Sequence, residues 1–158
     1  MNLRPTWMEV HLENIRHNYR ILKSWIEQHG GTNARVFPVL KANAYGLGAI
    51  PIAWTLKQLG ADYIIVATVD EALQLREAGI ADPVLVLGAA FVECVKVCVH
   101  YGIRMTLTDL KTAYAISEEA VSQKTTAFVH IAIDTGMGRI GFPTTRSEER
   151  RVGKECRS

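Results

Sequence analysis

The chain is poor in the features that mark several large protein classes. Its cysteines, Cys94, Cys98 and Cys156, are an odd number, and the first two stand four apart in a helical pattern. That predicts reduced thiols, not a disulfide framework. His100 lies near them, but no second ligand pair has the spacing a zinc site uses, so no metal is expected. No apolar run approaches membrane-spanning length, and Met1 to Val10 lacks the charged-then-apolar order of a signal peptide. A cytoplasmic protein with no membrane partner is the expectation. Gly46-Leu47-Gly48 has no third glycine, which argues against a dinucleotide-binding fingerprint. Charge of one sign is also scarce. The net charge of +2 comes from residues 146–158, and residues 1–145 carry 13 basic and 13 acidic side chains. No nucleic-acid partner is expected of so neutral a body.

What remains is an ordinary globular composition, 48% hydrophobic and 22% charged over 158 residues, with room for one real core. Thr6 to Leu12 alternates apolar and polar residues and reads as a half-buried strand. From Glu13 to about Gln28, Ile15, Tyr19, Leu22 and Ile26 recur at helical steps, and Gly30-Gly31 ends the pattern. His17 and Trp25 in that helix read as surface or packing residues. A βα rhythm follows, with strands expected at Arg35–Leu40, Tyr63–Ala67, Val84–Leu87, Arg104–Leu107 and Phe128–Ile133. Pro51 marks the first turn of one intervening helix, which runs to about Leu59. Thr68 and Glu71 form a capping box that opens the next, and Gly79 closes it. The third helix runs from Phe91 to Tyr101 with Val92, Val95 and Val99 inward. The fourth is expected to be capped by Thr108 and to carry Leu110, Tyr114 and Val121. Strand-helix alternation at this spacing predicts an α/β fold with a parallel sheet, either a barrel or a doubly wound sheet.

Two loops carry the chemistry. In Val39-Leu40-Lys41-Ala42-Asn43-Ala44-Tyr45-Gly46-Leu47-Gly48 a lysine ends an apolar run, and a tyrosine and two glycines follow. This places a reactive amine at the carboxyl end of a buried strand, where α/β barrels keep their active sites. The glycines allow close backbone approach to a ligand, and the tyrosine hydroxyl is suited to a phosphate. The second loop, Asp134-Thr135-Gly136-Met137-Gly138-Arg139-Ile140-Gly141-Phe142, brings an arginine suited to bidentate carboxylate binding. By itself it also reads as a glycine-rich turn with a solvent arginine. Beside Lys41 at the same end of one barrel, a grip on a carboxylate-bearing substrate is the better reading.

These loops resemble the two N-terminal signatures of the alanine racemase family. Arg4-Pro5-Thr6-Trp7 and Leu85-Val86-Leu87-Gly88 are also similar to its pattern, and the resemblance runs from about Leu3 to Phe142. It implies a pyridoxal 5'-phosphate enzyme, dimeric, that interconverts L-alanine and D-alanine and feeds D-alanine to bacterial cell-wall synthesis. It further implies that Lys41 holds the cofactor as a Schiff base and serves as one of two acid/bases at the substrate Cα. Tyr45 would contact the cofactor phosphate, and Val39 and Leu87 would pack near the ring. Arg139 would bind the cofactor phenolate and the substrate carboxylate, and Met137 would offer its backbone N–H to the substrate across the homodimer interface. The family's second base, a tyrosine from the partner's C-terminal domain, has no match here. Ala132 stands where many relatives carry a carbamylated lysine that steadies the arginine.

The fold implied is an incomplete (β/α)8 barrel of the TIM type, with about five βα units and the C-terminal β domain absent. Residues 1–145 would be the partial barrel, with strand 6–12 grouped with that β domain. Residues 146–158 resemble the conceptual translation of a sequencing adapter and are expected to be a non-native disordered tail. The chain as written is expected neither to form a well-behaved monomer nor to racemise alanine. Two other functions fit the same residues: a non-catalytic pyridoxal-phosphate-binding barrel, and a racemase of serine or another small amino acid.

Overall fold

The apolar runs become short parallel strands laid side by side in chain order. The computed structural model describes residues 6–29 and 34–144. Its main sheet contains β1 (Ile64–Val66), β2 (Val84–Ala89), β3 (Arg104–Leu107) and β4 (Val129–Ile131), in the order β1-β2-β3-β4. Residues 38–40 extend the sheet on the free edge of β1. There Val39 bridges Ile65 in parallel, Leu40 N–H donates to the Ile65 carbonyl and Ile65 N–H to that of Pro38, both at 2.8 Å. Neighbours in unbroken chain order are barrel staves, whereas a doubly wound sheet reverses its order at a switch point. The architecture is a partial α/β barrel.

The helices are α1 (Leu12–His29), α2 (Lys41–Tyr45), α3 (Ala49–Gln58), α4 (Val69–Glu77), α5 (Val92–His100) and α6 (Leu110–Ser122). The strand register sorts the side chains into two faces. Ile64 pairs with Val84, Val66 with Val86, Val86 with Met105, and Leu107 with Ile131. Of these, Ile64, Val66, Val84, Val86, Met105 and Leu107 join one apolar cluster with Ile52 and Leu56 of α3, Leu75 of α4, Val95 and Cys98 of α5, and Ile116 of α6. The opposite face, toward the barrel interior, carries Val39, Ile65, Leu85, Arg104, Thr106 and His130. Outside the staves, α1 packs on α3, with Arg16 donating to Gln58 at 2.7 Å.

Helix ends repeat one device. After α3, α4 and α5, a glycine in left-handed backbone (Gly60, Gly79, Gly102) precedes a buried residue. The N–H groups of Ala61, Ile80 and Ile103 return to the carbonyls of Leu56, Leu75 and Cys98 at 3.1, 3.0 and 2.9 Å. These are Schellman closures. After α6 the left-handed position is occupied by Lys124, and Thr125 N–H returns to Ala120 at 3.0 Å.

Several expectations need correction. Thr6 to His11 is not a strand; Trp7 is 68% and Met8 65% exposed, and no partner strand takes up their backbone among the described residues. The first stave is shorter than Arg35–Leu40, with only the backbone around Val39 paired. The last is not continuous from Phe128 to Ile133. After β4, Ala132 N–H still donates to Leu107 on the β3 side, while its carbonyl accepts from Phe142. β5 (Ile133–Asp134) then pairs with β6 (Phe142–Pro143) in a separate two-stranded sheet. Asp109, not Thr108, caps α6: its Oδ1 accepts from Thr112 N–H at 2.8 Å, and Thr108 only donates to Asp109. On α6, Tyr114 and Val121 are exposed and Thr112 and Ile116 are buried. On α5, Val95 and Val99 point inward as expected, and fully buried Cys98 completes that face, with Val92 only half-buried. Burial pushes the Cys98 thiol up to about 12, so it is a core residue.

At the end of the sheet where β2 and β3 begin, Arg76 joins two helix ends. Its Nη1 donates to the Ile80 and Asp82 carbonyls at 2.6 and 2.8 Å. Its Nε and Nη2 donate to those of Tyr101 and Gly102 at 2.9 and 3.2 Å. Only a guanidinium offers donors in that fan. Arg76→Met is expected to destabilise the fold by about 3 kcal/mol, because part-buried carbonyls lose charged donors. Arg76→Lys should recover only part of that, and urea unfolding of the three proteins checks the order.

Candidate active site

Lys41 leaves the first stave at its carboxyl end and enters an unusual turn. Ala42, Asn43, Ala44 and Tyr45 have φ of 52, 54, 54 and 56°, and at residues 42–44 ψ is 47–48°. This is one left-handed helical turn built from L-residues with Cβ atoms. Each such residue costs roughly 1–2 kcal/mol, so the turn persists only if its surroundings hold it. They do so in three places.

Inside the turn, Ala44 N–H donates to the Leu40 carbonyl at 2.8 Å, and Gly46 N–H reaches Ala42 at 2.9 Å. On the α3 side, the Asn43 carbonyl accepts from Gly48 N–H at 2.9 Å, and Asn43 Oδ1 accepts from Ala49 N–H at 2.8 Å. On the α4 side, Glu71 Oε1 accepts from Ala42 N–H at 2.6 Å. The same carboxylate, through Oε2, accepts from Ala67 and Thr68 N–H at 2.8 and 3.2 Å. Ala44 is buried within this frame. Close by, Gly88 of β2 leaves no room for a side chain, since a Cβ there would lie 2.5 Å from the Ala67 carbonyl oxygen.

The turn presents Lys41 and Tyr45 outward. Lys41 Nζ stands 6.0 Å from the centroid of the Tyr45 ring, and Tyr45 is 65% exposed. Lys41 has no hydrogen bond or ion pair with another described residue, so its amine is uncommitted. Val39 lies on the barrel-interior face, opposite Ile65. Leu87 follows Leu85 by two residues and is 44% exposed, whereas its neighbour Val86 is fully buried. Lys41, Tyr45, Val39 and Leu87 therefore share the carboxyl end of the sheet.

The second loop leaves the same end, after β4. Asp134 organises it, with Oδ1 accepting from Gly136 and Gly138 N–H at 2.9 and 3.0 Å. These backbone donors, with a smaller contribution from Met137 N–H, hold the Asp134 carboxyl below the usual carboxylate range. The Met137 side chain is exposed. Gly141, at φ 110°, closes the loop against Ala132, whose carbonyl oxygen a Cβ would approach to 2.9 Å. Arg139 is exposed and makes no hydrogen bond or ion pair with another described residue. The methyl of Ala132 offers it no acceptor. No such bond joins Arg139 or Met137 to the Lys41 turn among the described residues; what the two loops share is the end of the sheet from which they leave.

Glu71, Asn43 and Asp134 had not been assigned a role at the site from sequence. For Glu71 the signal was present, since Thr68-Val69-Asp70-Glu71 is a capping box. That box accounts for Oε2 and gives no hint that Oε1 reaches a residue 29 positions earlier. Asn43 and Asp134 are short polar residues among glycines, the composition of loops that bond their own backbone.

The family model described as "Alanine racemase, N-terminal domain" matches residues 10–157. An alanine racemase of Carboxydothermus hydrogenoformans is 48% identical over 140 residues, covering 89% of this chain and 37% of that protein. Among solved structures, alanine racemase of Clostridium difficile 630 superposes with a TM-score of 0.89 at 35% identity, covering 98% of this chain and 40% of the other. A histidine racemase of Leuconostoc mesenteroides superposes with a TM-score of 0.74 at 29% identity, over 92% of this chain and 37% of that one. The chain thus spans well under half the length of these relatives.

The Asp134 turn makes a prediction about acid. Because the folded carboxyl titrates below its unfolded value, the order it gives the loop is present above the ordinary aspartate pKa of about 3.9 and is lost as pH falls through the lower folded value. The amide resonances of Gly136 and Gly138 should titrate together, with a midpoint below about 3.9. A midpoint at or above the ordinary value would contradict the assignment.

Proposed function

The chain belongs to the alanine racemase family, and from that we propose that it is the lysine-bearing portion of a pyridoxal 5'-phosphate enzyme that interconverts L-alanine and D-alanine. The observation that carries the reading is Lys41: an uncommitted amine at the carboxyl end of a stave, on a turn whose strain is held from three sides.

The residues present fit that cofactor. An amine without an ion pair suits its aldehyde, the Tyr45 hydroxyl suits its phosphate, and Val39 and Leu87 offer apolar surface to its ring. When bound, pyridoxal phosphate supplies an electron sink that makes an amino-acid α-proton removable. Lys41 is the group that holds the cofactor and moves a proton at one face of the substrate Cα. Arg139 grips the substrate carboxylate and the cofactor phenolate from a loop stiffened by Asp134. The Met137 backbone N–H, on the same loop, is assigned to the substrate across the dimer interface. A proton must also reach the opposite face of Cα. We assign that role to a partner subunit of a homodimer, since no residue at this site among the described ones stands in for it. A cytoplasmic location belongs to the same proposal; among the described residues no helix is long and apolar enough to cross a membrane.

A racemase of a different amino acid is the second reading, favoured by the similarity to a histidine racemase. Conversion rates on alanine, serine and histidine decide between them.

Borohydride reduction of the cofactor-loaded full-length protein, followed by peptide mapping, should place the pyridoxyl group on Lys41. A label on Lys57 or Lys111 would overturn the assignment. In the full-length protein, Arg139→Ala is expected to lower kcat/KM for alanine about 100-fold, mainly through KM, with Arg139→Lys intermediate. An unchanged KM would remove Arg139 from the substrate grip.

A further inference from the structure

Glu71 has two tasks, and they use different oxygens. At the start of α4 it completes a capping box: its N–H donates to Thr68 Oγ1 at 3.3 Å, and its Oε2 accepts from the N–H groups of Thr68 and Ala67. That accounts for the helix end. Oε1 is left over, and it takes the shortest of these bonds, 2.6 Å from Ala42 N–H. Ala42 is the residue after Lys41 and the first in the left-handed turn.

We propose that Glu71 is a positioning residue for Lys41, its carboxylate clamping the strained turn 42–45 to the β1–α4 turn and so fixing where the lysine amine stands. The proposal rests on the reading of Lys41 as the reactive amine and adds to it the group that aims it. A carboxylate suits the task because it accepts from both sides at once and adds charge to each bond. Glutamine has one acceptor oxygen, so it must release one of the two segments. Aspartate keeps the charge at the helix N-terminus but is a methylene shorter and cannot span both. Thr68 separates capping from clamping, because Thr68→Ala weakens the cap and leaves the Glu71–Ala42 bond in place.

The test compares Glu71→Gln, Glu71→Asp and Thr68→Ala in the full-length protein. Hydrogen exchange of the 42–48 amides is read first, without cofactor. Both Glu71 variants should exchange about tenfold faster there, as expected for a lost charge-assisted bond, with β3 amides unchanged. Thr68→Ala should leave 42–48 at the parent rate. Imine formation on Lys41 is then followed by absorbance after adding pyridoxal phosphate, and should slow by about tenfold in the Glu71 variants alone. If Glu71→Gln does not fold, Glu71→Asp, which keeps the cap charge, carries the comparison. Parent-like exchange in Glu71→Asp, or equal loosening by Thr68→Ala, overturns the clamp. Parent protein that labels on a lysine other than Lys41, while the Glu71 variants still loosen 42–48, leaves the clamp standing and removes the function built on it.

Discussion

Sheet and helices are held together by one apolar layer, and the placement of everything polar depends on it. Ile64, Val66, Val84, Val86, Met105 and Leu107 lie under the inward faces of α3 to α6. Burying such a side chain contributes about 1.5–3 kcal/mol. The exposed Arg35–Asp62 pair at 3.9 Å belongs to a class worth about 0–1 kcal/mol. The layer therefore decides where strands and helices sit, and the surface pairs follow. Because each strand is closed over by the next helix, reactive side chains are left the loops at the strand ends. Lys41 and Arg139 both stand in such loops, leaving the same end of the sheet.

The parts of the fold that could be read from the sequence are those whose signal is local and repeated. Tyr63–Ala67 and, after Arg104, Met105–Leu107 are continuous apolar or β-branched runs bounded by turns, and the expected strands became β1 and β3 at or within a residue of their bounds. The capping box at Thr68 and the stop at Gly79 were legible because each needs only a few consecutive residues. Thr6–Leu12 misled for the complementary reason. Alternation shows that a segment could lie on a sheet, but pairing needs a partner strand, and periodicity carries no information about one. At α6, two adjacent residues, Thr108 and Asp109, could each cap. Only the geometry of Thr112 N–H chose Asp109.

At the site, residue types were legible and their support was not. A lysine ending an apolar run and an arginine among glycines announce themselves by chemistry and position. The left-handed turn does not, since Ala, Ala and Tyr carry no preference for positive φ and only Asn43 tolerates it readily. The Glu71 contact spans 29 residues of sequence, so no local pattern could express it. The contact that ties the turn to α4 is thus long-range, while the lysine itself was visible in a decapeptide.

The left-handed turn also bears on how such a protein could be improved. A programme seeking heat resistance by relieving backbone outliers would start at Ala42 and Ala44, where glycine removes the Cβ that makes the conformation costly. The same change would give this segment the freedom that its present side chains deny it. Ordinary thermostabilisation and the fixed course of the backbone after Lys41 therefore pull against each other within four consecutive residues.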